Sequence, residues 1–286
     1  MDVIRLGGVP EHFNLPIHLA KEKGKFEEQN IDLQWTTFKG GTGQMTKALR
    51  DNEVDACVLL TEGIITDIIK GNPAQIISLY VTTPLIWGIH TGKQNLINYH
   101  QEIFDKTYAI SRFGSGSHLM AIVDANSKGH TLVEEQFKVI KNLDGALASL
   151  AQLDSDVFYW EKYTTKPYVD NGPLKRIGEY LTPWPCFAIA ARTQILEENP
   201  TSIIRMLRTI HESTDRFMRK ETAIDLVSER YHQKPKDVER WFHSTEWAIH
   251  GWVSDKMIDS VIFNLKLAGI IKDEPIPELV WKRNLG

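Results

Sequence analysis

The order of short apolar runs and amphipathic segments is the feature that most constrains the fold of this 286-residue chain. The predicted strands of the first part are residues 3–8, 31–38, 54–60 and 74–81. The helices predicted between them are 15–29, a second that begins at Thr42 or Gly43 and ends at 51, and 64–70. Strands that alternate with helices over short connections favour a parallel sheet covered by helices. The polar segment 93–105 interrupts this alternation. The first part of the chain therefore predicts one α/β unit.

The alternation starts again after the polar segment. The predicted strands are 107–110, 135–140, 157–159, 175–178 and 186–191, and the predicted helices among them are 117–127 and 144–153. From Pro200 onward the pattern is helical. Two α/β units followed by a helical tail are not the pattern of one continuous doubly wound sheet.

The overall composition is that of a globular protein, with 42% hydrophobic and 24% charged residues. A net charge of −4 gives no electrostatic reason to expect a nucleic acid or an anionic membrane as partner. No stretch approaches the ~20 apolar residues that span a bilayer, so membrane insertion is not expected. The chain enters a strand pattern at its start, which favours a cytoplasmic protein, or a periplasmic one if a leader has been removed. Two cysteines are too few for a disulfide framework.

The candidate site lies in the strand-to-helix turns. In open parallel sheets, ligands bind beyond the carboxyl ends of the strands, where helix N-termini offer free N–H groups. Five such turns supply the candidate ligand-binding residues Glu11, His12, Phe13 and Asn14, then Gly41, Thr42 and Gly43, then Thr61 and Glu62, then Arg112, Phe113, Ser115, Gly116, Ser117 and His118, and finally Trp160 and Glu161.

Residues 114–117 form the most distinctive of these turns. Glycines permit close approach of the backbone, and two serines at a helix N-terminus donate to an anion or a carbonyl group. An ordinary capped turn explains the same residues. The turn lacks the third glycine of a dinucleotide fingerprint and the lysine of a P-loop, which argues against a nucleotide site.

The other candidates each have a structural alternative. His12 is either a ligand to the solute or a structural histidine. The glutamates of the turns pair with amino groups of a solute or compensate helix dipoles, and the tryptophans stack on a ring or fill the core. The sequence has neither a Gly-x-Ser-x-Gly elbow nor a His-Glu-x-x-His motif. It therefore predicts no catalytic residue, no metal and no cofactor.

Several segments together resemble one known family, the type II periplasmic-binding-protein family of sulfonate, taurine and thiamine-precursor binders, which includes the thiamine-pyrimidine synthases. The segments are residues 8–12, 20–29, 31–33, 40–43, 54–56, 112–117, 187–192 and 198–200. The run Ala-Lys-Glu-Lys-Gly-Lys-Phe-Glu-Glu-Gln, followed by Ile-Asp-Leu, is the most specific of them. The resemblance covers nearly the whole chain.

The resemblance implies an α/β, two-lobed type II periplasmic-binding-protein fold with two crossover strands and a C-terminal helical tail. Lobe I would comprise residues 1–86 plus 190–286, and lobe II would comprise residues 87–189. A monomer of this family closes its lobes about a hinge on a small-molecule solute. Its transporter-linked members deliver the solute to an ABC permease.

Two departures from the synthase branch narrow the expected function. Leu59 and Gly63 stand where that branch carries a lysine and a histidine, and its cysteine run is reduced to Cys186. The sequence therefore predicts reversible binding of an aminopyrimidine-like solute or a small anion. Two alternatives stay open, an enzyme of thiamine-pyrimidine or related cofactor metabolism that uses His12 or His118, and a cytosolic ligand sensor.

Overall fold

The computed structural model describes residues 1–272, 275 and 277–283. The chain forms two compact units. Unit 1 comprises Met1–Thr83, Trp184–Ile262 and Asp273–Gly286, and unit 2 comprises Pro84–Pro183 and Phe263–Lys272. The predicted lobe division differs from these two units at residues 84–86, 184–189 and 263–272, and it stays a prediction.

Unit 1 is built on a five-stranded sheet. Its elements are β1 (Asp2–Gly8), α1 (Leu15–Glu22), β2 (Ile31–Thr37), α2 (Thr42–Arg50), β3 (Ala56–Leu60), α3 (Thr61–Ile69), β4 (Ala74–Val81) and, after unit 2, the strand Phe187–Arg192. The strand Phe187–Arg192 is β10, because the five strands of unit 2, β5 to β9, precede it in the chain. The sheet order is β2-β1-β3-β10-β4. Strands β1, β2 and β3 are parallel, as predicted, but β10 runs antiparallel between β3 and β4. The sheet is therefore mixed rather than wholly parallel.

Close packing at the end of β1 requires glycine. A methyl group at Gly7 would lie 2.6 Å from Phe38 Cε2 and 2.9 Å from Cys57 Sγ.

The opposite end of the sheet is held by a buried carboxylate, because Asp55 Oδ1 lies 2.7 Å from Arg5 Nη2 and 2.8 Å from Arg192 Nη2. These two ion pairs join β1 and β10 to the residue immediately before β3, although the three strands are distant in sequence.

The first helix is shorter than predicted. The prediction covers residues 15–29, whereas α1 ends at Glu22 and a separate 3-10 turn follows at Glu27–Gln29. Gly24 has a φ of +68°, a left-handed conformation that terminates helices, and Lys25 N donates to Ala20 O at 2.9 Å. The glycine therefore ends the helix although amphipathic residues continue past it.

Unit 2 holds a second five-stranded sheet of order β7-β6-β8-β5-β9. Its elements are β5 (Ile86–Gly92), β6 (Tyr108–Ile110), α4 (Gly116–Ser127), β7 (Phe137–Val139), α5 (Leu143–Ala151), β8 (Val157–Glu161), α6 (Lys166–Asp170) and β9 (Leu174–Leu181). Strands β6, β7 and β8 are parallel, and β5 is antiparallel to β8 and β9. Ala109, Leu150 and Phe158 belong to its buried core.

Helices dominate the chain after β10, as predicted. They are α7 (Thr193–Glu198), α8 (Pro200–Met218), α9 (Ala223–Tyr231), α10 (Pro235–His243), α11 (Asp255–Leu267) and α12 (Pro277–Val280). No helix within the described residues is long and apolar enough to cross a membrane. Two mixed sheets with interleaved helices and this helical tail confirm the predicted α/β fold class.

Candidate functional site

The first strand-to-helix turn follows β1 in unit 1 and enters α1 through a short 3-10 turn. Asn14 Nδ2 donates to Val9 O at 2.8 Å, which closes the turn on itself. The carbonyl oxygen of Phe13 accepts from Tyr80 Oη at 2.7 Å and from Trp247 Nε1 at 2.9 Å. Three side-chain hydrogen bonds therefore hold the backbone of this turn in place.

His12 in this turn is buried among aromatic rings, and its neighbour Glu11 is half-buried. The imidazole stacks on Phe13 with ring centroids 5.0 Å apart and meets the edge of Trp241 at 4.1 Å. Burial lowers the pKa of His12 to about 3, so the ring is neutral at neutral pH. Its Nδ1 lies 3.5 Å from Gln233 Nε2, which places the ring proton on Nε2. Nε2 has no hydrogen-bond partner among the described residues.

The second and third turns of unit 1 pack against each other. Gly41 precedes α2 with a φ of +66°, and Gly43 lies half-buried in the first turn of that helix. Thr42 Oγ1 accepts from Leu60 N, the last residue of β3, at 3.2 Å. A methyl group at Gly63 would lie 2.4 Å from Thr42 Cγ2. Glycine at 63 is therefore what lets α2 and α3 begin side by side.

The third turn carries a buried carboxyl group. Helix α3 begins directly at the end of β3, and Thr61 Oγ1 donates to Pro185 O at 2.7 Å. Glu62 is fully buried, and its Oε2 accepts from Trp184 Nε1 at 2.8 Å. Burial raises the pKa of Glu62 to about 7, although the Trp184 hydrogen bond opposes the rise. Oε1 has no hydrogen-bond partner within the described part of the chain.

The first and third turns lie at the same edge of the sheet. Strands β1 and β3 are parallel neighbours, with Leu6 opposite Ala56, so both end at that edge. The ring of Phe13 contacts the ring of Phe187 with centroids 5.0 Å apart, and Phe187 pairs with Leu60 at the end of β3. Phe187 thus links the first turn to the end of the strand that precedes the third turn. That His12, Asn14 and Glu62 meet one solute stays a prediction.

In unit 2 the predicted serine turn forms a network of hydroxyl groups. Ser115 Oγ lies 3.0 Å from Ser117 Oγ, which also accepts from Ser111 N at 3.0 Å. Arg112 N donates to Ser115 Oγ at 3.4 Å. Gly116 begins α4, so these hydroxyls lie at a helix N-terminus, where anions are favoured.

His118 is fixed within the same turn. Its Nδ1 accepts from Gly114 N at 3.0 Å, so the neutral ring carries its proton on Nε2. Its ring meets Phe113 and Phe137 edge-on, at 5.2 Å and 4.6 Å between centroids. Burial lowers the pKa of Arg112 from its ordinary value. The ring of Phe113, in the same turn, is 48% exposed to solvent.

In the fifth turn, the carboxylate of Glu161 accepts hydrogen bonds from residues two and three positions further along the chain. Glu161 Oε2 accepts from Thr164 N at 2.6 Å and from Thr164 Oγ1 at 2.8 Å, and Glu161 Oε1 accepts from Tyr163 N at 3.0 Å. Burial raises the pKa of Glu161, and these bonds oppose the rise. Trp160 stacks on Phe158 with centroids 5.2 Å apart and packs against the core. Both residues therefore have a structural role in this turn, whatever they add to binding.

The candidate residues divide between the two units. The first three turns belong to unit 1, and the fourth and fifth belong to unit 2, where parallel pairing of β6 with β8 carries both turns to one sheet edge. Binding of one solute by all seventeen residues stays a prediction. Within the described residues, no group of three or more His, Cys, Asp or Glu side chains is arranged to hold a metal ion.

Trp184 is absent from the predicted site residues although it hydrogen-bonds the carboxyl group of Glu62. The indole is 3% exposed, and Trp184 is the first residue of unit 1 after the unit 2 segment Pro84–Pro183. The sequence marks it as a tryptophan that stacks on a ring or fills the core, and as a residue between Pro183 and Pro185. The two prolines predict a rigid turn but not a contact with a residue 122 positions earlier.

Comparison with known proteins supports the resemblance to type II periplasmic binding proteins. The family model for Ca3427-like periplasmic binding proteins matches residues 87–180. The Candida albicans CA3427 gene product, described as defining a family with the generic periplasmic binding protein fold, is 27% identical with a TM-score of 0.90. That similarity covers 96% of this chain and 92% of the Candida protein. No curated protein sequence matches the chain.

Two further solved structures share the fold at lower identity. The alkanesulfonate-binding protein SsuA from Xanthomonas axonopodis pv. citri, bound to MOPS, is 14% identical with a TM-score of 0.82 over 98% of both chains. The ligand-binding component of an ABC-type import system from Staphylococcus aureus is 14% identical with a TM-score of 0.77, covering 100% of this chain and 98% of that one. These neighbours are binding proteins.

Proposed function

We propose that this chain, which shares the fold of the type II periplasmic binding proteins, binds a small organic solute reversibly and does not convert it. Two structural neighbours with this fold are binding proteins, one of them an alkanesulfonate-binding protein. Ligands of open α/β sheets bind beyond the carboxyl ends of the strands, where the turns of unit 1 present buried polar groups.

The Glu62 carboxyl group is the observation that carries this proposal. A fully buried carboxyl with one oxygen unpartnered among the described residues is costly unless another group meets that oxygen. The hydrogen bond from Trp184 satisfies only Oε2. A solute that donates to Oε1 would therefore supply the missing interaction.

Three buried atoms in the adjacent turns define what the solute should offer. The Glu62 carboxylate accepts a hydrogen bond, Asn14 Oδ1 accepts another, and His12 Nε2 donates one. An aminopyrimidine-like ring presents amino donors beside a ring-nitrogen acceptor, which matches this set. A small anion instead suits the serine turn before α4 and the guanidinium of Arg112.

The ionisation of Glu62 distinguishes the two solute classes. Its pKa of about 7 means that the group is mostly protonated at pH 6 and mostly ionised at pH 8. The ionised carboxylate attracts an amino-bearing solute and repels an anion. We therefore expect an aminopyrimidine to bind more tightly as pH rises from 6 to 8, and a sulfonate to bind more weakly.

The enzyme alternative is weaker on chemical grounds. A general base works best with a pKa near the working pH, whereas the pKa of His12 is lowered to about 3. Nδ1 of His118 already accepts a backbone hydrogen bond. Both histidines therefore suit hydrogen bonding to a bound solute better than proton abstraction. The ligand-sensor alternative uses the same binding step and differs only in the partner.

Isothermal titration calorimetry with aminopyrimidines and alkanesulfonates tests the binding proposal. Glu62→Gln keeps the size of the side chain and removes its charge, so we expect it to weaken aminopyrimidine binding about tenfold. Glu198→Gln, the same substitution on the exposed face of α7, is the control and should bind like the wild type. Equal affinities for Glu62→Gln and wild type would refute the role of Glu62.

Closure of a hinge and delivery to a permease are further parts of the proposal. Small-angle scattering should show a smaller radius of gyration when the solute identified by calorimetry is added. The ABC-type import component from Staphylococcus aureus makes a permease a reasonable partner. Co-purification with a membrane permease supports delivery, whereas co-purification with a soluble regulator supports the sensor alternative.

A further inference from the structure

Unit 1 contains a cavity of about 830 Å³ that none of the predicted site residues lines. It lies between α8, residues 249–253 and the edge strand β4, beside Trp281 and Lys282. Small-molecule sites typically occupy ~300–1,000 Å³, so the volume fits a compact organic ligand. The cavity is therefore a candidate for a second binding site, separate from the strand-to-helix turns.

The edge of the sheet explains why a cavity forms here. Strand β4 is the last strand of the sheet, and a bridge to Trp281 covers it at Ile76. Further along, Ala248 N donates to Tyr80 O at 2.9 Å. Ile77, between these two attachments, lines the cavity. The covering segments thus meet the strand at two points and leave space between them.

Two of the cationic side chains that line the cavity are available to bind an anion, because the acidic side chains there are already paired with arginines. Asp215 is paired with Arg219 at 2.7 Å, and Glu212 lies 3.4 Å from an arginine one turn further along α8. Arg208 and Lys282 line the same cavity and have no ion pair within the part of the chain that the structure describes. The two acids are compensated, so the remaining charge favours an anion.

His211, which also lines the cavity, adds no charge to it. His211 Nε2 lies 2.9 Å from Ser78 Oγ, and that hydroxyl donates to Leu79 O at 2.6 Å, so the histidine is the donor. Burial, together with the nearby charge of His250, lowers the pKa of His211 to about 4. The positive potential therefore comes from Arg208 and Lys282.

An aromatic surface stands at the rim. The indole of Trp252 is 80% exposed and stacks on His250 with ring centroids 5.5 Å apart and an angle of 29° between planes. A large exposed ring held in a fixed orientation is a suitable platform for another ring. The cavity thus combines an aromatic platform with two cations, Arg208 and Lys282, that have no ion pair among the described residues.

We infer that this cavity binds a small organic anion with an aromatic body. The ring of such a ligand stacks on Trp252, and its carboxylate or phosphate accepts hydrogen bonds from Arg208 and Lys282. The ligand class differs from the amino-bearing solute of the strand-to-helix turns. Both sites can be filled in the same molecule, because they share no lining residue.

Naphthoate is a suitable probe, with naphthylmethanol and inorganic phosphate as probes that lack its charge or its ring. We expect naphthoate to quench tryptophan fluorescence and to give a calorimetric isotherm, and the other two probes to bind about tenfold more weakly or worse. Arg208→Ala and Lys282→Ala should each weaken naphthoate binding about tenfold while leaving naphthylmethanol unchanged. Trp252→Ala, an exposed position, should weaken both naphthyl probes.

Arg240→Ala is the matched control, since Arg240 is an exposed helical arginine of unit 1 that does not line the cavity. It should bind naphthoate like the wild type, and so should Glu62→Gln. Wild-type affinity in both Arg208→Ala and Lys282→Ala would overturn the inference. Loss of naphthoate binding in Glu62→Gln would also overturn it, because the probe would then occupy the strand-to-helix turns.

Discussion

Replacing Glu62 with glutamine should change how the stability of the protein depends on pH. The glutamine oxygen can still accept from Trp184 Nε1, which lies 2.8 Å from the carboxylate, but the ionisable group is lost. Burial raises the pKa of Glu62 in the folded chain to about 7, against 4.5 for an unperturbed glutamate. The substitution therefore removes one well-defined titration from the folded state.

The sign and size of the effect follow from those two pKa values. Between pH 4.5 and about 7, folded Glu62 retains a proton that the unfolded chain has released, so the folded state loses stability as pH rises. Above about pH 7 this loss of folding stability is complete. It amounts to about 3 kcal/mol, since one pKa unit corresponds to 1.36 kcal/mol.

Urea unfolding of the wild type and of Glu62→Gln at pH 5 and pH 8 measures how much the ionisation of Glu62 changes the free energy of unfolding. The variant should gain at least about 2 kcal/mol relative to the wild type between the two pH values. Glu198→Gln, on exposed α7, should show no such gain. Because two units need not unfold in one step, a carbon-13 NMR titration of the Glu62 carboxyl group gives the pKa independently.

Two results would refute this reasoning. One is a stability difference between wild type and variant that is the same at pH 5 and pH 8. The other is a Glu62 resonance that titrates near 4.5, which would mean that water reaches the carboxyl group. Either result would also remove the argument that Glu62 selects amino-bearing solutes.

Three other substitutions test the packing and the electrostatics of unit 1. Gly63→Ala should lower the free energy of unfolding by about 1–3 kcal/mol, because the new methyl group would lie 2.4 Å from Thr42 Cγ2. Thermal unfolding should show that adding Thr42→Ser recovers most of the loss. Asp55→Ala should cost about 3–5 kcal/mol, since it leaves buried Arg192 without its ion pair, and an unchanged urea midpoint would contradict this. Between pH 6.5 and about 4, only the unfolded chain protonates His211, so the wild type loses stability as pH falls through this range. His211→Phe should therefore lose less stability than the wild type over the same range. Equal losses in the two proteins would contradict the lowered pKa of His211.

Strands with continuous apolar sequences are predictable from the sequence. Strand β3 is entirely buried and so is β10, and both read as uninterrupted apolar runs up to the final arginine of β10. Amphipathic helices such as α8 are equally clear, because one face is buried along their length. Local patterns of this kind need no knowledge of distant residues.

Strand β5 is one of the elements that the strand and helix patterns of the sequence do not predict. It runs from Ile86 to Gly92 and includes His90 and Thr91, polar residues that break the apolar pattern. Both are buried in the structure. The His90 ring is satisfied by Phe158 O at 3.2 Å and Thr165 Oγ1 at 2.9 Å, partners that only the folded unit supplies. Burial of a polar strand therefore depends on tertiary hydrogen bonds.

The sequence by itself determined that the chain forms two α/β units, and it placed Glu62 at the start of a helix beyond a buried strand. Only the tertiary structure decided that β10 inserts antiparallel between β3 and β4, and that Trp184, just before β10, meets Glu62. Helix and strand patterns are local, whereas desolvation depends on which distant residues surround a group. The near-neutral pKa of Glu62, on which the proposed solute class rests, is therefore a property of the fold and not of the residue type.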